Sequence, residues 1–284
     1  MDYLTYEKSR EPHYNVTYLR SIMRYGCRAH DFGKCTVDTL AARLAAKGVQ
    51  SIQLAPEKAI CFDGDLTTHA ASIGDTLRKH RIATAVVGCY INPIHPDMQM
   101  RNQSVETFFT HLECAHKLNG SLVGLETGTP TPDYSPTPLA HTEEAFQDML
   151  RTMERLVERA ESLPDLFIGI EAVHLHTVSN APKMKRLIRE LGSARVRVIF
   201  DPVNLMDETT EVDQRALFSE YIDLLHDRIS VIHIKPQYTA LNTEAAYGWI
   251  RQCSQPLDIL LEGVSENDIE RELAKFKEQI AKGT

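Results

Sequence analysis

The chain is short of several features that would have placed it quickly. Basic charge is scarce, with 31 Lys and Arg against 39 Asp and Glu, a formal charge of -8 and a pI near 5.8. No positive surface field results, which weighs against nucleic acid or an anionic membrane as partner. Six cysteines stand at 27, 35, 61, 89, 114 and 253 with no Cys-x-x-Cys pair, and several fall in apolar runs where free thiols pack well. They read as reduced, in a cytoplasmic protein. No uninterrupted apolar stretch approaches bilayer length, and residues 1–11 are polar and mixed in charge, so neither a membrane span nor a signal peptide is expected. Linkers, low-complexity tracts and repeats beyond a strand-helix period are missing too, so the 284 residues read as one domain. The single tryptophan, Trp249, is expected to pack.

What is present is an alternation. Runs with strand character cover residues 25–29, 51–54, 82–91, 121–126, 167–171, 198–201, 230–233 and 257–262, separated by segments with helical spacing. The clearest helix carries Phe146, Met149, Leu150, Met153, Leu156, Val157 and Ala160 on one stripe. Thr36 and Ser104 are candidate helix caps, Ser265 with Asp268 resembles a capping box, and Gly48, Gly120 and Gly192 follow helix ends. Strands apolar on both faces belong in parallel sheets covered by helices, and eight strand-helix units close naturally into a barrel. A doubly wound open sheet is the competing fold, disfavoured because no Gly-x-Gly-x-x-Gly follows a strand. The expectation is an α/β fold, a (β/α)8 TIM barrel over residues 23–284, with residues 1–22 as an N-terminal extension packed on it. Residues 129–138 hold four prolines and read as a long loop after strand four.

The last four strands each end on an acid or an imidazole: Glu171, Asp201, His233 and Glu262. Side chains alternate along a strand, so these share faces with Gly169, Ile199, Val231 and Leu260. If those faces point inward, the four converge at one mouth. Buried carboxylates need a counter-charge, and three carboxylates with one imidazole suit a divalent ion: Mn²⁺ first, then Mg²⁺, with Co²⁺ or Zn²⁺ as alternatives. Strand-end acids also serve ordinary capping, and Asp201 before Pro202 is equally able to start a turn.

These residues resemble a known family. Glu171, Asp201-x-x-Asn204, His233-x-Lys235 and Glu262 are similar to the motifs of the sugar phosphate isomerase/epimerase group among the xylose isomerase-like barrels, over about residues 23–280. The phrases around Gly88–Asn92, Gly124–Gly128 and Glu171-x-Val-x-x-His176 add to the likeness. The resemblance implies an enzyme that moves a proton through an enediolate, with Glu171 and Glu262 as acid and base on opposite faces of a sugar. It also implies a metal held by Glu171, Asp201, His233 and Glu262. Return of the proton to the other carbon isomerises; return to the opposite face epimerises. Many members have His at the position of Asn204 and Asp at that of Pro236, so substrate choice is expected to differ.

Substrate contacts are expected from His176, Asn204 and Lys235, from Glu126, Tyr90 and Asn92 at strand ends, and from Arg28 and His30, which could hold a phosphate or carboxylate. His174 is expected to pack. The partner would be a small carbohydrate, and because barrels of this group often pair, a homodimer is a further expectation. Three rival functions compete with this reading, of which a non-catalytic sugar-binding or regulatory barrel is disfavoured by the intact ligand set. A metal-dependent lyase or dehydratase on a keto-sugar or cyclic polyol ketone begins with the same proton abstraction. An apurinic endonuclease, which the barrel also resembles, would need extra histidines where the chain has Gln53 and Asn204.

Overall fold

The computed structural model describes residues 23–206, 214–237, 243–253 and 255–282. Eight parallel strands close into a barrel in sequence order: β1 (Met23–Arg28), β2 (Ser51–Leu54), β3 (Ala83–Gly88), β4 (Leu122–Glu126), β5 (Phe167–Glu171), β6 (Val196–Phe200), β7 (Ile229–Ile234) and β8 (Leu257–Leu261). Helices follow them as α1 (Val37–Ala46), α2 (Leu66–Lys79), α3 (Met98–Cys114), α4 (Glu143–Glu161), α5 (Ala181–Leu191), α6 (Gln214–Leu225), α7 (Thr243–Gln252) and α8 (Ile269–Ala281), with further helical turns at Ala29–Phe32, Pro56–Ala59 and Pro138–His141. The expected (β/α)8 TIM barrel is the fold found. The proposed extension, residues 1–22, lies outside the described residues.

Strands buried on both faces explain the unbroken apolar runs. Outward side chains and the helix stripes form one large shell of core, while Ala85, Val86, Leu122, Ile199, Val231 and Leu260 fill the barrel interior. On α4, Phe146, Met149, Met153, Leu156, Val157 and Ala160 are buried as the stripe requires, and Trp249 packs partly buried against the same shell. Two inward positions must be glycine-sized. A Cβ on Gly124 would come within 2.5 Å of Val86 Cγ1, and one on Gly169 within 2.5 Å of Leu122 Cδ2, because Ile199 and its neighbours occupy that layer.

Helix ends correct some local expectations. Thr36 does cap α1, accepting from Thr39 N–H at 3.3 Å. Ser104, by contrast, lies inside α3, whose cap is Asp97, accepting from the Gln99 and Met100 amides. Gly48 and Gly192 take positive φ, but Asn119 rather than Gly120 does so after α3. Ser265 Oγ donates to Asp268 Oδ2 at 2.7 Å, yet α8 starts only at Ile269, so the pair ties a turn instead of boxing the helix. No described helix is long and apolar enough to cross a membrane.

Candidate metal centre

Alternation along β5 to β8 carries the chemistry to one mouth. Ile199, Val231 and Leu260 lie in the interior layer and Gly169 faces it, so Asp201, His233, Glu262 and Glu171, each two residues on, rise above that layer at the C-terminal end. A register irregularity between Val198 and Ile199 sits just ahead of Asp201, where such a kink re-aims the next side chains. All four are buried: Glu171 at 2%, Asp201 at 1%, His233 at 0% and Glu262 at 5% exposure.

Glu171, Asp201 and His233 each offer one donor atom, and these lie within 4.8 Å of one another. Glu262 stands beside rather than within that group, its Oε1 being 3.3 Å from His233 Nδ1, while Glu171 Oε1 approaches the same nitrogen at 3.6 Å. One imidazole is therefore flanked by two carboxylates. Among the described residues, neither ring nitrogen of this fully buried histidine finds a hydrogen-bond partner. A buried imidazole without partners, beside crowded acids, is a donor set that a divalent cation satisfies.

The electrostatics describe the crowding. Burial pushes the His233 imidazole down, but the Glu262 and Glu171 charges outweigh it and raise it to about 9. Asp201 is pushed up to about 6 by burial and by Glu171, with Lys235 opposing. Glu262 goes the other way: His233, Arg28 and Lys235 more than offset its burial and hold it below the usual glutamate value. Asp201 Oδ1 accepts from the Val203 and Asn204 amides at 2.9 and 3.2 Å, so the residue does start a turn, with one oxygen only.

Around this centre the anticipated contacts fall into groups. Asn204 Nδ2 donates to Glu171 Oε1 at 2.7 Å, and Lys235 Nζ lies 2.6 Å from Asp201 Oδ2 and donates to Asn204 Oδ1 at 2.7 Å. Glu126, opposite Glu171 in the β4–β5 register, is raised to about 7 by burial and by the Glu171 and Glu262 charges. His176 is buried, its Nδ1 is 3.7 Å from Glu126 Oε2 without a hydrogen bond, and burial with nearby His174 lowers it to about 4. It is neutral near pH 7. The buried Tyr90 hydroxyl and His30 Nδ1 also lack partners among the described residues, whereas Arg28 is engaged by Asp31 at 2.8 Å and lies 3.6 Å from Glu262.

Asn92 is committed elsewhere. Its amide donates to the Thr129 and Thr131 carbonyls at 2.9 and 3.1 Å, and its oxygen accepts from Ile94 N–H. Gly128 lets the loop come this close: its φ is +69°, and a Cβ there would meet Asn92 Oδ1 at 2.4 Å. The His174 ring does more than pack: its Nδ1 lies 3.1 Å from the Asn204 carbonyl, which also accepts from the His174 backbone N–H at 2.7 Å, and the two contacts join the loops after β5 and β6.

Two neighbours of the site escaped sequence reading. Tyr134, from the four-proline loop, sets its ring edge-on to His176 at 5.1 Å and donates to the Ile91 carbonyl at 2.9 Å. Lys58, on the extra turn after β2, holds its ammonium 5.7 Å from the Tyr90 ring centroid. A lysine shortly into a βα loop was the available signal for the second; nothing in the spacing signalled the first.

Fold and site together define a parallel-barrel protein with a buried carboxylate-imidazole centre at its C-terminal mouth. Residues 41–252 match the xylose isomerase-like TIM barrel family, and the chain belongs to it. No curated protein matches the sequence. Solved structures resemble it in fold at low identity. D-psicose 3-epimerase from Clostridium cellulolyticum H10, solved with D-tagatose, aligns with TM-score 0.68 at 12% identity over 92% of this chain and 99% of its own. 3-Keto-D-glucoside 4-epimerase from E. coli aligns at 0.69 and 14% identity over 90% and 99%, and the IOLI protein with a bound zinc atom at 0.68 and 12% over 92% and 99%.

Proposed function

We propose that the protein is a divalent-metal-dependent isomerase or epimerase of a sugar or sugar phosphate, transferring a proton between Glu171 and Glu262. The observation that carries this reading is the pair of buried carboxylates flanking His233 Nδ1 at 3.6 and 3.3 Å. Epimerases of ketoses and keto-glycosides among the similar folds support it.

Glu171, Asp201 and His233, with Glu262 beside them, would hold the ion, Mn²⁺ being the first candidate. Such an ion supplies Lewis acidity that polarises a substrate carbonyl and acidifies the adjoining C–H. Glu262, kept ionised by His233, Arg28 and Lys235, is suited to remove that proton. Glu171, oriented by Asn204, is suited to return one from across the site. The neutral His176 offers one donor and one acceptor to a sugar hydroxyl, and Tyr90 offers a hydroxyl with no partner among the described residues. Burial of all four central groups keeps bulk water from quenching the carbanion-like species.

The test is C–H exchange in D₂O. Protein reconstituted with Mn²⁺ and offered ketoses, ketose phosphates and cyclic polyol ketones should incorporate deuterium next to the carbonyl of one class. Loss of a substrate oxygen instead of exchange with retention would assign the chain to the eliminating enzymes, and cleavage of abasic DNA would overturn the reading.

A further inference from the structure

Asp201 spends Oδ1 on two amides of its own turn, which leaves Oδ2 as the oxygen able to take a cation. That oxygen already has one. Lys235 Nζ lies 2.6 Å from it, steadied by Asn204 Oδ1 at 2.7 Å and lying 3.7 Å from Glu262 Oε2. The lysine side chain is only 15% exposed, so this ammonium is part of the buried charge balance and not a surface group that happens to lean inward.

A single ammonium is a poor match to the carboxylates around it. Glu171, Asp201 and Glu262 converge here, and Lys235 touches the second and approaches the third. The amide of Asn204 ties both halves together, since it accepts from Lys235 while donating to Glu171 Oε1 at 2.7 Å. An incoming divalent ion meets Asp201 Oδ2 already engaged, and it would also feel the like charge of the ammonium at close range.

We propose that Lys235 is an exchangeable counter-ion of the metal centre: its ammonium must leave Asp201 Oδ2 for the ion to load, and the departing group, still within reach of Asn204, becomes a donor to substrate. This rests on the metal-centre reading above. Metal affinity is then a difference between two cations competing for one oxygen. The lysine reaches substrate only after the metal is in place, so the order of addition is metal first. A lysine with a merely structural role would stay on Asp201 in both states.

The experiment titrates the chelator-treated full-length protein with Mn²⁺ alone, by calorimetry, for wild type, K235M and K235R, with melting temperatures taken before and after loading. With no ammonium to displace, K235M should bind Mn²⁺ about tenfold tighter or more. Its chelated form should melt lower than chelated wild type, and loading should raise its melting temperature by the larger increment. K235R, which keeps the charge, should bind close to wild type. Unchanged or weaker binding by K235M while wild type still takes up one ion overturns the exchange. Should K235M fail to fold, crystal structures of wild type with and without Mn²⁺ decide: Nζ out of hydrogen-bond reach of Oδ2 after loading supports it, and Nζ still seated there overturns it. Wild type that takes up no divalent ion removes the metal-centre reading itself and this inference with it.

Discussion

Asp258 and Glu262 stand four residues apart on β8 and its C-terminal edge, at opposite ends of the barrel, and are buried alike at 6% and 5% exposure. Their partners differ in one respect. Asp258 is gripped at both oxygens by Arg24, at 2.8 and 2.6 Å, beside a cavity of about 380 Å³ at the N-terminal mouth. There Arg197 is likewise settled, donating to the Ala194 carbonyl and lying over the Phe167 ring. Glu262 has three cationic neighbours and owns none of them: Arg28 is shared with Asp31, Lys235 with Asp201 and His233 with Glu171. Burial of an acid therefore does not by itself set the two ends apart. Competition for counter-charges does.

The comparison predicts opposite outcomes for conservative amides at the two ends. E262Q and E171Q should each lower the D₂O exchange rate by about 10²- to 10⁴-fold, the range for a general acid or base, with little change in melting temperature. Exchange at the wild-type rate in either would remove its role. Below the site, G169A places a methyl against Leu122 and Ile199, and we expect a loss of about 1–3 kcal/mol in urea unfolding; an unaltered midpoint would mean the interior layer has slack.

Crowding also sets a pH signature. The Glu126 carboxyl is raised in the fold from 4.5 to about 7, so the folded state holds its proton more tightly than the unfolded chain does. Stability should then fall as pH rises through that window and level off above it. E126Q removes the ionisable group, so in chelator it should be the more stable protein by about 3 kcal/mol near pH 8, converging on wild type toward pH 4. A difference that does not vary with pH would break the electrostatic account. The smallest effect belongs to D258N, about 1 kcal/mol of stability, because Arg24 is half exposed, with turnover retained. If D258N abolished exchange, the two ends would not be distinct.

Much of the architecture was legible in the chain. Strands buried on both faces leave continuous apolar runs, and period-two alternation then places Glu171, Asp201, His233 and Glu262 on one side without further information. That the first three draw closest, with Glu262 across His233, depends on barrel stagger and side-chain rotamers, which no spacing encodes. Loop contributions were less visible. Tyr134 reaches His176 through a turn in which the tyrosine itself takes φ +65°, and Asn92 is spent on a loop that closes only because Gly128 does likewise. Ser104 misled as a cap because good helix residues precede it and Asp97 supplies a stronger acceptor for the first amides.

The most direct measurement is metal stoichiometry on chelator-treated protein, by calorimetry with elemental analysis, for wild type and H233A. The account predicts one divalent ion per chain in wild type and a loss of at least tenfold in affinity for H233A, about 1.4 kcal/mol or more. Equal binding by both proteins, or none by wild type, would contradict it.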